Sequence, residues 1–201
     1  MQAVGVMRIN IQGKALLADG TNHIIIANHP TLIDVILIVA QMKEVDCAVK
    51  QEHWKNPFVS GVIKATGYIS NSSPEQLLEE CVNNINDNRS LIIFPEGTRT
   101  TPGEKIRFKR GAAHLAIRCN KNLKPIIISC SPLSLTKGEK WYQVPKEGPM
   151  NISLTIKEII QTESCKAQTK NEPIAARQLT QHLEEYYQKE VLTNDRFSHR
   201  N

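Results

Sequence analysis

Short runs of unbroken apolar residues, each followed by a helix-like stretch, constrain this chain more than any other feature. The clearest is Ile24-Ile25-Ile26-Ala27, flanked by His23 and Asn28; similar runs occupy residues 47–50, 67–70, 90–94 and 125–129. Continuous rather than alternating apolarity suits strands covered on both faces, as in a parallel sheet. Helical patterns fall between them, over 31–41, 57–65, 74–86 with Ser73 as N-cap, and 111–119. The alternation predicts an α/β class with a mainly parallel central sheet flanked by helices. Residues 150–159 differ, because Ile152, Leu154 and Ile156 alternate with polar residues as in an edge or one-faced strand. Residues 173–191 then read as a closing helix. The polar stretch 161–172 reads as a surface loop too short to separate two domains. One domain is therefore expected over 1–201, with a motif-bearing core at about 24–132 and a C-terminal strand and helix at about 150–191.

Composition narrows the class further. Forty per cent hydrophobic and 22% charged residues in a chain of 201 are ordinary for a globular protein and exclude collagen, coiled coil and wholesale disorder. The net charge of +5 favours anionic partners, and phosphate ligands, nucleic acid and acidic lipid all fit it. Five scattered cysteines without a Cys-x-x-Cys pair indicate neither a zinc site nor a disulfide framework, so reduced thiols in a cytosolic compartment are expected. The longest nearly apolar run, 32–40, is interrupted by Asp34 and is about half of the ~20 residues that cross a bilayer. Residues 1–7 are too short and mixed for a secretory signal. Membrane contact is thus expected to be peripheral, or to rest on residues missing from this sequence.

Two segments carry chemistry. Asn28-His29-Pro30-Thr31-Leu32-Ile33-Asp34 follows an apolar strand and opens a helix, which is where ligands bind in open α/β sheets. There the Asp34 carboxylate can reach one imidazole nitrogen of His29 while the other faces a substrate. Such a pair can remove a proton from a substrate hydroxyl, an effect worth ~10²–10⁴ in rate. A capping histidine with a first-turn carboxylate is the competing structural reading. The second segment, Phe94-Pro95-Glu96-Gly97-Thr98-Arg99, also ends an apolar strand and is followed by Phe108-Lys109-Arg110-Gly111. Gly97 allows close backbone approach, Thr98 can donate to an oxygen, and Arg99 offers a planar fork suited to phosphate. Lys50 is a cation at a strand's exit. No Gly-x-Ser-x-Gly elbow and no Gly-x4-Gly-Lys loop occurs, which disfavours serine hydrolases and P-loop enzymes.

Together these segments resemble the lysophospholipid acyltransferase family, with residues 28–34 for its His-x4-Asp block and residues 94–99, about 65 positions after His29, for its Phe-Pro-Glu-Gly-Thr-Arg block. The resemblance runs from about residue 24 to 132. It implies a glycerolipid acyltransferase-like fold, His29 as general base and Asp34 as its orienting partner. It also implies that Glu96, Gly97, Thr98 and Arg99 hold the acceptor's glycerol phosphate, helped by Lys50. Lys124-Pro125-Ile126-Ile127 resembles the family's fourth block and reads mainly as architecture. The family's second block usually ends in an acidic residue and an arginine, whereas this chain reads Gly67-Tyr68-Ile69-Ser70-Asn71-Ser72-Ser73. Lys109 or Arg110 would then supply the missing cation, or the acceptor differs from lysophosphatidate.

The implied activity is transfer of a fatty acyl group from acyl-CoA or acyl-ACP (acyl carrier protein), as co-substrate, to the hydroxyl of a lysophospholipid, with no bound cofactor, no metal and no nucleic acid. The implied location is the cytoplasmic face of the membrane, as a peripheral protein. Two alternatives stay open: the same chemistry on another hydroxyl acceptor, and a non-enzymatic anion-binding module. Basic residues spread along the chain argue against the latter. His53 beside Trp54 and His114 read as packing residues, and Lys137 to Tyr142 as a solvated loop.

Overall fold

A computed structural model describes residues 5–18, 22–42, 45–50, 68–71, 74–87, 89–101, 103–139, 145, 147–169 and 171–198. Among the described residues seven strands form one sheet: β1 (Met7–Gln12), β2 (Ile24–Ala27), β3 (Val45–Lys50), β4 (Tyr68–Asn71), β5 (Ser90–Ile93), β6 (Leu123–Ser131) and β7 (Met150–Ile156). Their order is β1-β7-β6-β2-β5-β3-β4. Every neighbouring pair is parallel except β6 and β7, so β1 and β7 run against the other five. The mainly parallel α/β architecture read from the sequence is the one observed.

Both faces of the central strands are covered. Period-two alternation sends Ile24 and Ile26 into one apolar cluster and Ile25 and Ala27 into another on the opposite face. The first cluster takes Cys81 and Ile85 from α2 (Pro74–Asn86), most of α3 (Gly111–Arg118), and Ala175, Ala176, Leu179, Leu183 and Tyr187 from α5 (Glu172–Ser198). Leu37 and Ile38 of α1 (Asp34–Val39) pack on the second face, to which β7 contributes Met150, Ile152, Leu154 and Ile156. Burying each such aliphatic side chain contributes roughly 1.5–3 kcal/mol. Tyr187 locks the closing helix to the sheet: its hydroxyl donates to the Ile26 carbonyl at 2.6 Å, and burial pushes the phenol well above its ordinary pKa.

Three expectations change. Residues 161–172 are not simply a loop: they contain a short helix, α4 (Glu163–Gln168). Tertiary anchoring explains it, because the Thr162 hydroxyl donates to the Lys121 carbonyl at 3.1 Å and its N–H to Asn122 Oδ1 at 3.1 Å. β7 is one-faced but not an edge, because β1, which the apolar-run reading missed, pairs along its outer side. The alternating Met7, Ile9 and Ile11 of β1 are the one-faced pattern that would have found it. Finally, α1 begins at Asp34 instead of residue 31, since residues 31–33 form the turn that holds the Asp34 carboxylate. The helix expected over 57–65, its neighbours His53 and Trp54, the Ser73 cap and residues 140–142 lie outside the described residues.

Candidate active site

β2, β5 and β6 are adjacent and parallel, so the segments that leave their C-terminal ends emerge side by side. Asn28 leaves β2 but continues its ladder with a side-chain amide, which imitates a peptide. Its Nδ2 donates to the Ile128 carbonyl at 2.8 Å, and the Ile128 N–H donates to its Oδ1 at 2.8 Å. The chain is thereby free to turn while staying fastened to β6, and His29 follows at once.

His29 is fixed by both backbone and ring. Its N–H donates to Glu96 Oε1 at 2.9 Å and to Thr100 Oγ1 at 3.2 Å, and its carbonyl accepts the Thr100 N–H at 2.7 Å. The ring packs on Phe94, with centroids 4.3 Å apart, and its Nδ1 lies 2.8 Å from Asp34 Oδ2. Asp34 is 0% exposed and its carboxylate can only accept there, so Nδ1 carries a proton and, in the neutral ring, Nε2 is the nitrogen with the lone pair. The His29 side chain is 18% exposed, which leaves a route for a substrate. Thr31 completes the carboxylate's shell, donating its N–H to Oδ2 at 2.8 Å and its hydroxyl to Oδ1 at 2.5 Å. A buried carboxylate with three donors is held in one orientation, and it holds the ring in turn.

The second segment turns back at Gly97, whose N–H donates to the Phe94 carbonyl at 2.9 Å. Two observations explain the glycine. Its φ is +68°, and a Cβ there would stand 2.9 Å from Lys109 Nζ. The Lys109 side chain therefore lies over the turn, brought there by its own N–H donating to the Pro95 carbonyl at 2.7 Å. Arg99 Nη1 donates to the carbonyls of Leu135 and Thr136 at 3.0 and 2.7 Å. Glu96 is a partly buried carboxyl whose pKa burial raises, opposed by hydrogen bonds from the Thr100 hydroxyl and the His29 N–H.

Of the residues read from the sequence, the fold joins His29 to Asp34, ties Glu96 to His29, and sets Lys109 over Gly97. Arg99 is held at the 135–136 loop. Thr98 is exposed and takes no part in the described hydrogen bonds. Arg110 is exposed at the N-cap of α3 and is linked to the site only as the chain neighbour of Lys109. Lys50 ends β3, two strands from β2, and its side chain lies outside the described residues. Sequence reasoning missed Asn28, Thr31, Thr100 and Leu135 as supports. Thr31-x-x-Asp34 before an apolar run is a capping-box pattern and could have revealed Thr31; nothing local marks Leu135. Lys124 and Pro125 stand within β6, as architecture requires, and His114 is half-buried on α3. None of the five cysteines forms a disulfide, and burial pushes Cys81 up to about 12 and Cys130 to about 11.

The Acyltransferase family model matches residues 8–131, a span that holds both motif segments and more than half of the chain. The chain belongs to the Acyltransferase family. Among curated relatives, it is 33% identical over 112 residues to a 1-acyl-sn-glycerol-3-phosphate acyltransferase of Helicobacter pylori, covering 52% of this chain and 47% of that protein. It is 32% identical over 148 residues to the enzyme of the same name from Limnanthes douglasii, covering 67% of this chain and 52% of that one. The chain thus spans about half the length of the curated relatives it matches. Its fold is similar to the crystal structure of the 1-acyl-sn-glycerophosphate (LPA) acyltransferase PlsC from Thermotoga maritima. The TM-score is 0.73 at 22% identity, covering 94% of this chain and 73% of that one. No helix of the described residues is long and apolar enough to cross a membrane.

Proposed function

We propose that this chain is a single acyltransferase domain that moves a fatty acyl group from the thioester of acyl-CoA or acyl-ACP to the hydroxyl of lysophosphatidate or a related lysophospholipid. The observation that carries the reading is the His29–Asp34 pair, fastened through Glu96 and Thr100 to the turn that bears Gly97 and Arg99. A base and an anion-holding turn on one scaffold suit a substrate with a hydroxyl and a phosphate a few bonds apart.

In this mechanism His29 Nε2 takes the proton of the acceptor hydroxyl as its oxygen attacks the thioester carbonyl. Asp34 stabilises the imidazolium. The tetrahedral intermediate collapses by breaking the C–S bond, and the proton on Nε2 passes to the departing thiolate, so the base is regenerated. Arg99, Lys109 and Lys50 bind the acceptor phosphate, with Gly97 and Thr98 lining the turn. Glu96 serves this site through the His29 backbone, because a carboxylate repels phosphate. Arg110 adds positive potential beside Lys109. The lipid acceptor implies peripheral attachment at the cytoplasmic face of a membrane.

The test is thiol release from acyl-CoA and from acyl-ACP, each with and without lysophosphatidate. Acceptor-dependent thiol release in either arm is the expected result; none in any arm refutes the reading and favours a non-enzymatic anion-binding module. One observation supports a second reading, with the same chemistry on another hydroxyl acceptor: residues 67–73 lack the arginine that the resemblance leads one to expect. Competition between lysophosphatidate and other lyso-lipids decides it, and a clear preference for lysophosphatidate eliminates it.

A further inference from the structure

Beyond β6 the chain forms a small brace that no motif covers. Leu135 has φ 59°, a left-handed conformation that a branched L residue keeps only when its surroundings impose it. Its carbonyl accepts the Leu32 N–H at 3.1 Å and Arg99 Nη1 at 3.0 Å. One peptide unit therefore touches both the turn that carries Asp34 and the guanidinium assigned to the acceptor phosphate. The N–H of that same peptide unit belongs to Thr136, and it donates to Glu139 Oε2 at 2.8 Å. Glu139 closes the loop a second time, its own N–H donating to the Thr136 carbonyl at 3.2 Å, across a turn in which Gly138 has φ 96°. That carbonyl is the other acceptor of Arg99, at 2.7 Å.

We infer that Glu139, an exposed residue in the stretch that reads from the sequence as a solvated loop, is a positioning residue for acceptor binding that acts through the 135–136 peptide on Arg99. The inference rests on the acceptor reading proposed above. Its physics is simple. A carboxylate on the N–H end of a peptide fixes that peptide's orientation and polarises its carbonyl, strengthening what the carbonyl accepts. Without the carboxylate, the 135–136 peptide is free to rotate about ψ of Leu135 and φ of Thr136, which swings the Leu135 carbonyl away from Arg99. His29 and Asp34 stay in place, because Thr31, Glu96 and Thr100 hold them independently.

The experiment compares Glu139→Ala, Glu139→Gln and Arg99→Ala in steady-state kinetics and amide hydrogen exchange. In Glu139→Ala the KM for the acceptor should rise about 3- to 10-fold, the equivalent of one lost hydrogen bond, with kcat changed less than about 2-fold and the donor KM unmoved. Glu139→Gln keeps an acceptor oxygen and should restore most of the affinity. Adding Glu139→Ala to Arg99→Ala should cost nothing further, since the two act in series. Exchange at the Thr136 and Leu32 amides should quicken in Glu139→Ala. An unchanged acceptor KM, an undiminished Glu139→Ala effect in the Arg99→Ala background, or unaltered exchange at Thr136 each overturns the inference. Failure of the underlying reading is distinguishable: wild-type protein would transfer no acyl group while the exchange difference persisted, and the role in acceptor binding would fall with it.

Discussion

Replacing Asp34 by asparagine separates what the carboxylate does electrostatically from what it does as a hydrogen-bond partner. In Asp34→Asn the new amide oxygen can occupy the Oδ2 site, accepting the His29 Nδ1–H and the Thr31 N–H, while the new NH₂ donates to the Thr31 hydroxyl at the Oδ1 site. The hydrogen bonds can thus all be remade, and the thermal midpoint should move by no more than a few degrees. The charge cannot be remade. With imidazolium and carboxylate centres ~4 Å apart at an effective dielectric constant of ~20, the pair is worth ~4 kcal/mol when His29 is protonated. In the proposed mechanism His29 gains that proton as the acceptor hydroxyl attacks, so the loss falls on the barrier and predicts a drop in kcat of ~10³-fold. Acceptor-dependent thiol release, with thermal melting on the same samples, makes the measurement. A variant that keeps its melting temperature and stays within about tenfold of wild-type kcat would refute the argument that Asp34 acts by stabilising the imidazolium.

Other outcomes follow from single contacts. His29→Ala should lose at least ~10³-fold of turnover with the fold intact by circular dichroism, because a positioned base is gone; wild-type-like turnover contradicts the assignment. Gly97→Ala puts a Cβ at φ +68° and 2.9 Å from Lys109 Nζ. It should cost roughly 1–2 kcal/mol in chemical denaturation and raise the acceptor KM, and a neutral result would mean that the turn relaxes freely. Glu96 gives a pH signature. Burial raises its carboxyl above the ordinary value of 4.5, so its favourable contribution is present below that pH and is lost as pH rises through the higher folded-state value. Glu96→Gln, which keeps an oxygen for the His29 N–H, should therefore gain stability relative to wild type between about pH 4 and 7. A melting-temperature difference that is flat or reversed across that range rejects the sign.

The alternation of apolar runs and helical stretches decided the fold class, because runs as short and β-branched as Ile24-Ile25-Ile26 suit strands buried on both faces. The same local logic placed His29 and Asp34 within reach of each other, since five positions across a strand-to-helix turn is a short-range distance. What lay beyond reach was long-range. β1 joins the sheet beside β7, more than half the chain away, and turns a one-faced strand into an interior one. The short helix α4 depends on Thr162 finding Lys121 and Asn122.

The site divides along the same line. Residue types and local spacing determined which groups can do proton transfer and which can hold an anion, because imidazole, carboxylate and guanidinium chemistry travels with the residue. Only the tertiary structure decided which of them work together: Thr100 gripping the His29 backbone, Lys109 crossing Gly97, and the Leu135 carbonyl bridging Leu32 and Arg99. Those contacts are hydrogen bonds to the main chain and close approaches between residues from 12 to 103 positions apart. A backbone N–H or carbonyl is the same at nearly every position, so it leaves no mark in the sequence of the partner it will find.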